Sequence, residues 1–259
     1  MTESAPQTPA AMFDLTDRVA IVTGASTGLG NRFARVLHEA GAHVIAVARR
    51  IELLQALADK HERITAYQAD VTDDAAMRGL VDDVLAKFGR IDVLVNNAGL
   101  GNPQRAVDED LDSFRYTVEV NLTGVFNLAR LVARPMLEAG RGSIINIASV
   151  YGFGSAWPIH NGAYAASKGA VIQLTRELGC HWASAGVRVN ALAPGFFESE
   201  ATAEMTANPK SIEYVVKGTP MRRWGQAHEL DGALVFMASD ASSYLTGQTV
   251  VVDGGWTSH

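Results

Sequence analysis

The strongest constraint on this chain is a rhythm: from residue 18 to residue 252, short runs rich in Val, Ile and Ala alternate with longer stretches of helical periodicity. Such alternation marks successive βαβ units closing a parallel sheet, because each crossover helix must cover one face of the strands it joins. Strands are expected at residues 18–23, 43–48, 64–69, 91–96, 142–149, 187–193 and 249–252, and most lack polar alternation, as strands covered on both faces should. Helical patterns fill residues 28–40, 73–88, 111–139, 163–185 and 228–239, with Pro135 hinting at a kink in the third. The result is a doubly wound α/β sheet in one domain over residues 13–259, behind a floppy tail at residues 1–12. Residues 196–220 lose the periodicity and read as a loop with a short helix, placed to cover a substrate.

Composition narrows the partners. Hydrophobic residues make up 47% of the 259 and charged residues 19%, enough to bury a sizeable core. The net charge of −6 and the lack of any Lys/Arg cluster argue against nucleic acid and for a small soluble ligand. Cys180 is the only cysteine, so there is no internal disulfide, which fits a reducing compartment. The first twelve residues lack the basic and apolar stretches of a signal peptide, and no apolar run reaches the roughly 18 residues of a membrane span. A cytoplasmic location is expected. The seven histidines show no metal-ligand spacing, so no metal is expected.

In doubly wound sheets ligands bind beyond the carboxyl ends of the strands. The first strand runs into Gly24, Ser26, Thr27, Gly28, Leu29 and Gly30 before a helix. Glycines there let the backbone approach a pyrophosphate that the helix N-terminus attracts. The spacing Gly-x-x-x-Gly-x-Gly differs from the better-known Gly-x-Gly-x-x-Gly fingerprint. Asp70 closes the third strand, and Asn97, Ala98 and Gly99 follow the fourth, lining the same edge for an adenosine. The second strand ends Ala48, Arg49, Arg50; an arginine fork suits a ribose 2′-phosphate where an acid would suit a 2′-hydroxyl, so NADP(H) is favoured over NAD(H).

Tyr164 and Lys168 are four apart in a helical stretch and emerge on one face. A free phenol titrates near about 10; a neighbouring ammonium and an oxidised nicotinamide are expected to pull that value down. Ser149 ends the fifth strand, where its hydroxyl can donate to a substrate oxygen, and Asn121 on the preceding helix can hold a backbone group or a water. His160 lies near this edge as a loop histidine, and Phe153, Trp157, Phe196, Phe197 and Tyr214 are candidate walls of an apolar pocket.

These motifs, TGASTGLG at residues 23–30, NNAG at residues 96–99, Asn121, Ser149, Tyr164 with Lys168, and Pro194 with Gly195, resemble a classical short-chain dehydrogenase/reductase over nearly the whole chain. The resemblance implies a Rossmann-like sheet of about seven strands and a catalytic set of Asn121, Ser149, Tyr164 and Lys168, with Lys168 also holding the nicotinamide ribose. It further implies contacts from Asp70 and Val71 to the adenine region and from Phe197 and Ser199 to the carboxamide. Many relatives have threonine at the position of Ser199. Similar proteins are usually tetramers, which makes a homotetramer the expected assembly. The function implied is hydride transfer between NADP(H) and a ketone or 3-oxoacyl-type substrate. The alternatives are an NAD-dependent dehydrogenase of a polyol, sugar acid or steroid alcohol, and a cofactor-binding protein without catalysis.

Overall fold

A computed structural model describes residues 8–198 and 202–258 of the chain. Seven parallel strands form one sheet: β1 (Val19–Thr23), β2 (His43–Ala48), β3 (Ile64–Gln68), β4 (Val93–Asn96), β5 (Gly142–Ile147), β6 (Val187–Pro194) and β7 (Thr249–Val252). Their order is β3-β2-β1-β4-β5-β6-β7. All seven expected strands are present; 43–48 and 249–252 match in full, and the other five differ by one or two residues at one end. The chain leaves β1 in one direction and β4 in the other, so the crevice between these two strands is the topological switch point where ligands bind in such sheets.

Successive residues of a strand face opposite sides, and β1 shows what that does. Ala20 and Val22 join Phe33 and Leu37 of α1 (Gly28–Glu39), Leu54 of α2 (Ile51–Ala58) and Leu234 and Met237 of α9 (Asp231–Ala238). Val19 and Ile21 join Met77 and Leu80 of α3 (Asp74–Phe88), Leu128 and Met136 of α5 (Gly124–Ala139) and Leu178 of α6 (Gly162–Trp182). Two apolar layers therefore sandwich the sheet and fix its carboxyl edge in place.

Four features depart from the sequence expectation. The helix α2 was not anticipated. The pattern read as one helix over residues 111–139 is α4 (Leu111–Val118), a π-helical turn at Glu119–Thr123 and α5. The departure from regular helix thus falls at Asn121, whereas Pro135 sits in the last turn of a helix that runs on to Ala139. The stretch 196–220 holds two helices, α7 (Ala203–Ala207) and α8 (Pro209–Gly218); α8 starts with Pro at its first turn and Asn208 accepting from the Lys210 N–H at 3.0 Å. Within the expected tail, residues 11–13 form a short 3-10 helix, Ala11–Phe13. Among the described residues no helix is long and apolar enough to cross a membrane.

Candidate active site

The carboxyl end of β1 is tied to that of β4 by one threonine. The Thr23 hydroxyl accepts from the N–H groups of Asn97 and Ala98, both at 3.0 Å, while the Asn97 side-chain amide donates to the Thr23 carbonyl at 2.9 Å. The turn that follows requires Gly24, whose φ of +66° is the left-handed region. A side chain at Gly30 would strike the Gly24 carbonyl and Asn97, so the start of α1 packs close with its free N–H groups facing the crevice.

Two adjoining cavities open there. One, of about 400 Å³, runs from Gly24 and Thr27–Gly30 past Asn97–Gly99 to Ser149, Tyr164, Lys168, Pro194, Gly195 and Phe197. The other, of about 250 Å³, shares Gly24, Thr27, Ala98 and Gly99 and extends to Ser26, Arg49, Arg50, Asp70 and Val71. Every residue expected to touch a dinucleotide borders one of the two, except Ser199, which lies outside the described residues. At the far end the Arg50 guanidinium donates to the hydroxyls of Ser26 at 3.1 Å and Thr27 at 2.8 Å. Arg49 donates to the Tyr116 hydroxyl at 3.1 Å and faces the Asp70 carboxylate at 3.7 Å. Asp70 itself accepts from the N–H and hydroxyl of Thr72.

At the near end the structure brings Ser149, Tyr164 and Lys168 together. All three border the same end of the larger cavity. Lys168 is only 3% exposed; its ammonium donates to the Ile147 carbonyl at 2.6 Å and lies 5.5 Å from the centre of the Tyr164 ring. Burial lowers the Lys168 pKa to about 8. The expectation for Tyr164 needs correction. In the chain itself burial raises its pKa, and hydrogen bonding from Ser149 is the opposing influence. The four-residue spacing places the two groups correctly but does not reveal how deeply they are buried.

Asn121 is fully buried in the π turn, where the wider winding carries its side chain inward. Its amide donates to the Leu100 carbonyl at 2.8 Å and the Ser167 hydroxyl at 3.0 Å, and its carbonyl oxygen accepts from the Leu100 N–H at 2.9 Å. It clamps the segment after β4 onto α6, and so holds the floor beneath Tyr164.

An aromatic cluster packs beside Ser149 and Tyr164. Phe196 packs edge-on against Tyr151 at 5.9 Å, Tyr214 at 6.3 Å, Trp224 at 5.8 Å and Trp256 at 4.7 Å. The Tyr214 hydroxyl donates to the Trp157 carbonyl at 2.7 Å, joining α8 to the segment after Ser149. Of the aromatic residues read as pocket walls, Phe196 and Tyr214 lie in this cluster and Phe197 sinks into the core. Phe153 and the Trp157 ring are exposed at the surface, where His160 meets Trp157 edge-on. Sequence reasoning missed Tyr151, Trp224 and Trp256, which only tertiary contact gathers.

The double cavity suits a dinucleotide and the cluster at its end suits proton exchange with an oxygen; together they define a nicotinamide-dependent oxidoreductase working on CH–OH and C=O groups. Sequence comparison agrees. Residues 24–257 match the family model described as enoyl-(acyl carrier protein) reductase. The chain is 38% identical to 2-dehydro-3-deoxy-D-gluconate 5-dehydrogenase of Bacillus subtilis over 95% of this chain and 97% of that one. It is 37% identical to a 3-oxoacyl-(acyl carrier protein) reductase of Thermotoga maritima over 93% and 98% respectively. Among solved structures it superposes on a gluconate 5-dehydrogenase from Burkholderia cenocepacia in complex with NADP and tartrate, with a TM-score of 0.91, 38% identity and coverage of 97% and 100%. The chain belongs to the short-chain dehydrogenase/reductase family.

Proposed function

We propose that this protein transfers a hydride between NADP(H) and a ketone or the corresponding secondary alcohol, with Tyr164 exchanging the proton at the substrate oxygen. When bound, the nicotinamide supplies or accepts the hydride. The residues do the rest. Ser149 donates to the oxygen as negative charge grows on it, and the Tyr164 hydroxyl passes its proton to that oxygen as the carbonyl becomes an alcohol. Lys168 holds a nicotinamide ribose and, when protonated, favours the phenolate left behind. Asn121 keeps the surrounding backbone in register. Asp70 and Val71 flank an adenine, and Pro194, Gly195, Phe197 and Ser199 receive a carboxamide.

The observation that carries this reading is the continuity of one cleft from the glycine turn to Ser149, Tyr164 and Lys168. NADP(H) is assigned over NAD(H) because Arg49 and Arg50 stand where a 2′-phosphate would lie, and because the similar gluconate 5-dehydrogenase was crystallised with NADP. The residues fit such a cofactor: glycine leaves room for a pyrophosphate and two guanidiniums face the end of the cleft. Screening NADPH consumption across ketones, 3-oxoacyl thioesters and keto-sugar acids tests the activity, and a chain that binds NADPH but reduces none of them refutes it. A second reading, an NAD-dependent dehydrogenase of a polyol or sugar acid, is favoured by the Asp70 carboxylate facing Arg49 and by the B. subtilis relative. Tighter binding of NADH than of NADPH in a fluorescence titration would establish it.

Assembly as a homotetramer in the cytoplasm completes the proposal. The edge strand β7 is half-exposed along its length, Phe114 and Phe126 are exposed on α4 and α5, and Ala165, Ala166, Gly169 and Ala170 give α6 a small-residue face. Sedimentation at micromolar concentration distinguishes tetramer from dimer and monomer. Residues 196–220 act as the substrate cover.

A further inference from the structure

Two buried polar atoms in the aromatic cluster beside the site have no hydrogen-bond partner among the described residues: the Tyr151 hydroxyl and the Trp224 indole N–H. Both rings pack on Phe196. Tyr151 is the closer of the two to the chemistry. Its main-chain N–H donates to the Ser149 hydroxyl oxygen at 3.2 Å, and its ring meets that of Tyr164 edge-on at 6.4 Å. Burial pushes the Tyr151 pKa well up, so the hydroxyl keeps its proton at neutral pH. An unpaired buried hydroxyl costs stability that phenylalanine would not, and no described group beside it is placed to accept or donate in exchange.

We propose that Tyr151 is a substrate-specificity residue whose hydroxyl donates to a second oxygen of the substrate, a few bonds from the reacting carbonyl. The protein would then select hydroxyketones, keto acids and the matching diols over plain hydrocarbon ketones. The inference rests on the carbonyl–alcohol chemistry proposed above and adds the substrate class. The pairing is supplied by the ligand: an oxygenated substrate satisfies the buried donor, whereas a hydrocarbon ketone of the same shape leaves it unpaired and is bound less well.

The test uses matched pairs with NADPH: 3-hydroxybutan-2-one against butan-2-one and 2-hydroxycyclohexanone against cyclohexanone, with the matching diols and alcohols and NADP+ in the reverse direction. The wild type is expected to prefer the oxygenated member by about tenfold or more in kcat/KM. Tyr151→Phe is expected to erase most of that preference through the KM of the oxygenated member alone. Turnover of the hydrocarbon ketone and the NADPH Kd should stay put, and the Tm should hold or rise. Tyr151→Met, which also lacks the hydroxyl, should give the same pattern, so a packing defect peculiar to one variant is recognised. Equal losses on both members, or a preference left intact, overturn the assignment to Tyr151. A wild type that turns over both members equally sinks the substrate class while leaving the carbonyl chemistry standing. A wild type inactive on every pair and on the wider carbonyl screen removes the proposed function and this inference with it.

Discussion

The two ends of the cleft are built differently. At the dinucleotide end polar side chains already hold one another: Arg50 with Ser26 and Thr27, Asn97 with Thr23, Asp70 with Thr72. At the substrate end Tyr151 and Trp224 bury donors that nothing described in the protein satisfies. The first end draws on residues 23–120, before the chain reaches β5, whereas the second gathers Tyr151, Phe196, Tyr214, Trp224 and Trp256 from after it. The difference teaches that a cofactor site can be finished by the fold, because its ligand is constant, while a substrate site keeps unmet hydrogen-bonding capacity that only the right molecule fills.

Substitutions should separate these ends. The largest effect is expected for Tyr164→Phe, which removes the proton donor and should lower kcat by a factor on the order of 10² or more while the NADPH Kd is unchanged. A parallel loss of NADPH affinity in titration would mean that the ends cannot be uncoupled. Lys168 sits on the seam. Its pKa falls from 10.5 to about 8 in the folded chain, so below about pH 8 the native state carries a buried charge at a cost that the unfolded chain does not bear. Wild-type stability should therefore rise with pH between about 8 and 10.5, where the unfolded chain holds the proton and the native one does not. Lys168→Met should stabilise the apoprotein at pH 7 by about 2 kcal/mol, once the lost hydrogen bond to Ile147 is discounted, with the gain fading across that window. Urea unfolding at several pH values reads this directly, and a variant less stable at pH 7 contradicts it.

Arg50→Ala acts at the other end alone: NADPH affinity should drop about tenfold, NADH affinity should stay within error, and kcat at saturating cofactor should persist. Equal weakening of both cofactors would show that Arg50 supports the turn and does not read a phosphate. The smallest effect is expected in the aromatic cluster, where Tyr214→Phe breaks the bond to the Trp157 carbonyl. Substrate KM should rise a few-fold, by about 1 kcal/mol, with kcat and cofactor binding unaltered in steady-state kinetics.

The same division governed what the sequence revealed. Strands β1 to β7 were legible because buried parallel strands are short apolar runs, and the glycine turn because its residues are contiguous. Ser149, Tyr164 and Lys168 were legible by type and spacing. The π turn was not, since Leu111 through Ala139 keep a helical apolar pattern straight through it. Nor was α2, eight residues long and entered from Arg50 without a capping side chain. The start of α8 carried a readable signal, Asn208 before Pro209, that the loss of periodicity around it obscured. Tyr151 gave no local cue at all, because its significance is an absent partner and partners are a property of the assembled fold.

The wide turn at residues 119–123 works as a phase adjuster between two helices. A regular helix advances about 100° per residue. Here α4 leaves Leu111, Phe114 and Tyr116 outward while α5 turns Val125, Leu128, Ala129 and Val132 inward. Deleting one residue in this segment would let the winding close into an unbroken α-helix and would rotate one flank against the other by about that angle. Then either Asn121 swings off Leu100 and Ser167, or the inward row of α5 revolves toward water. Chain length is consequently locked at this point by a clash of two demands, one from the apolar layer and one from a single carboxamide.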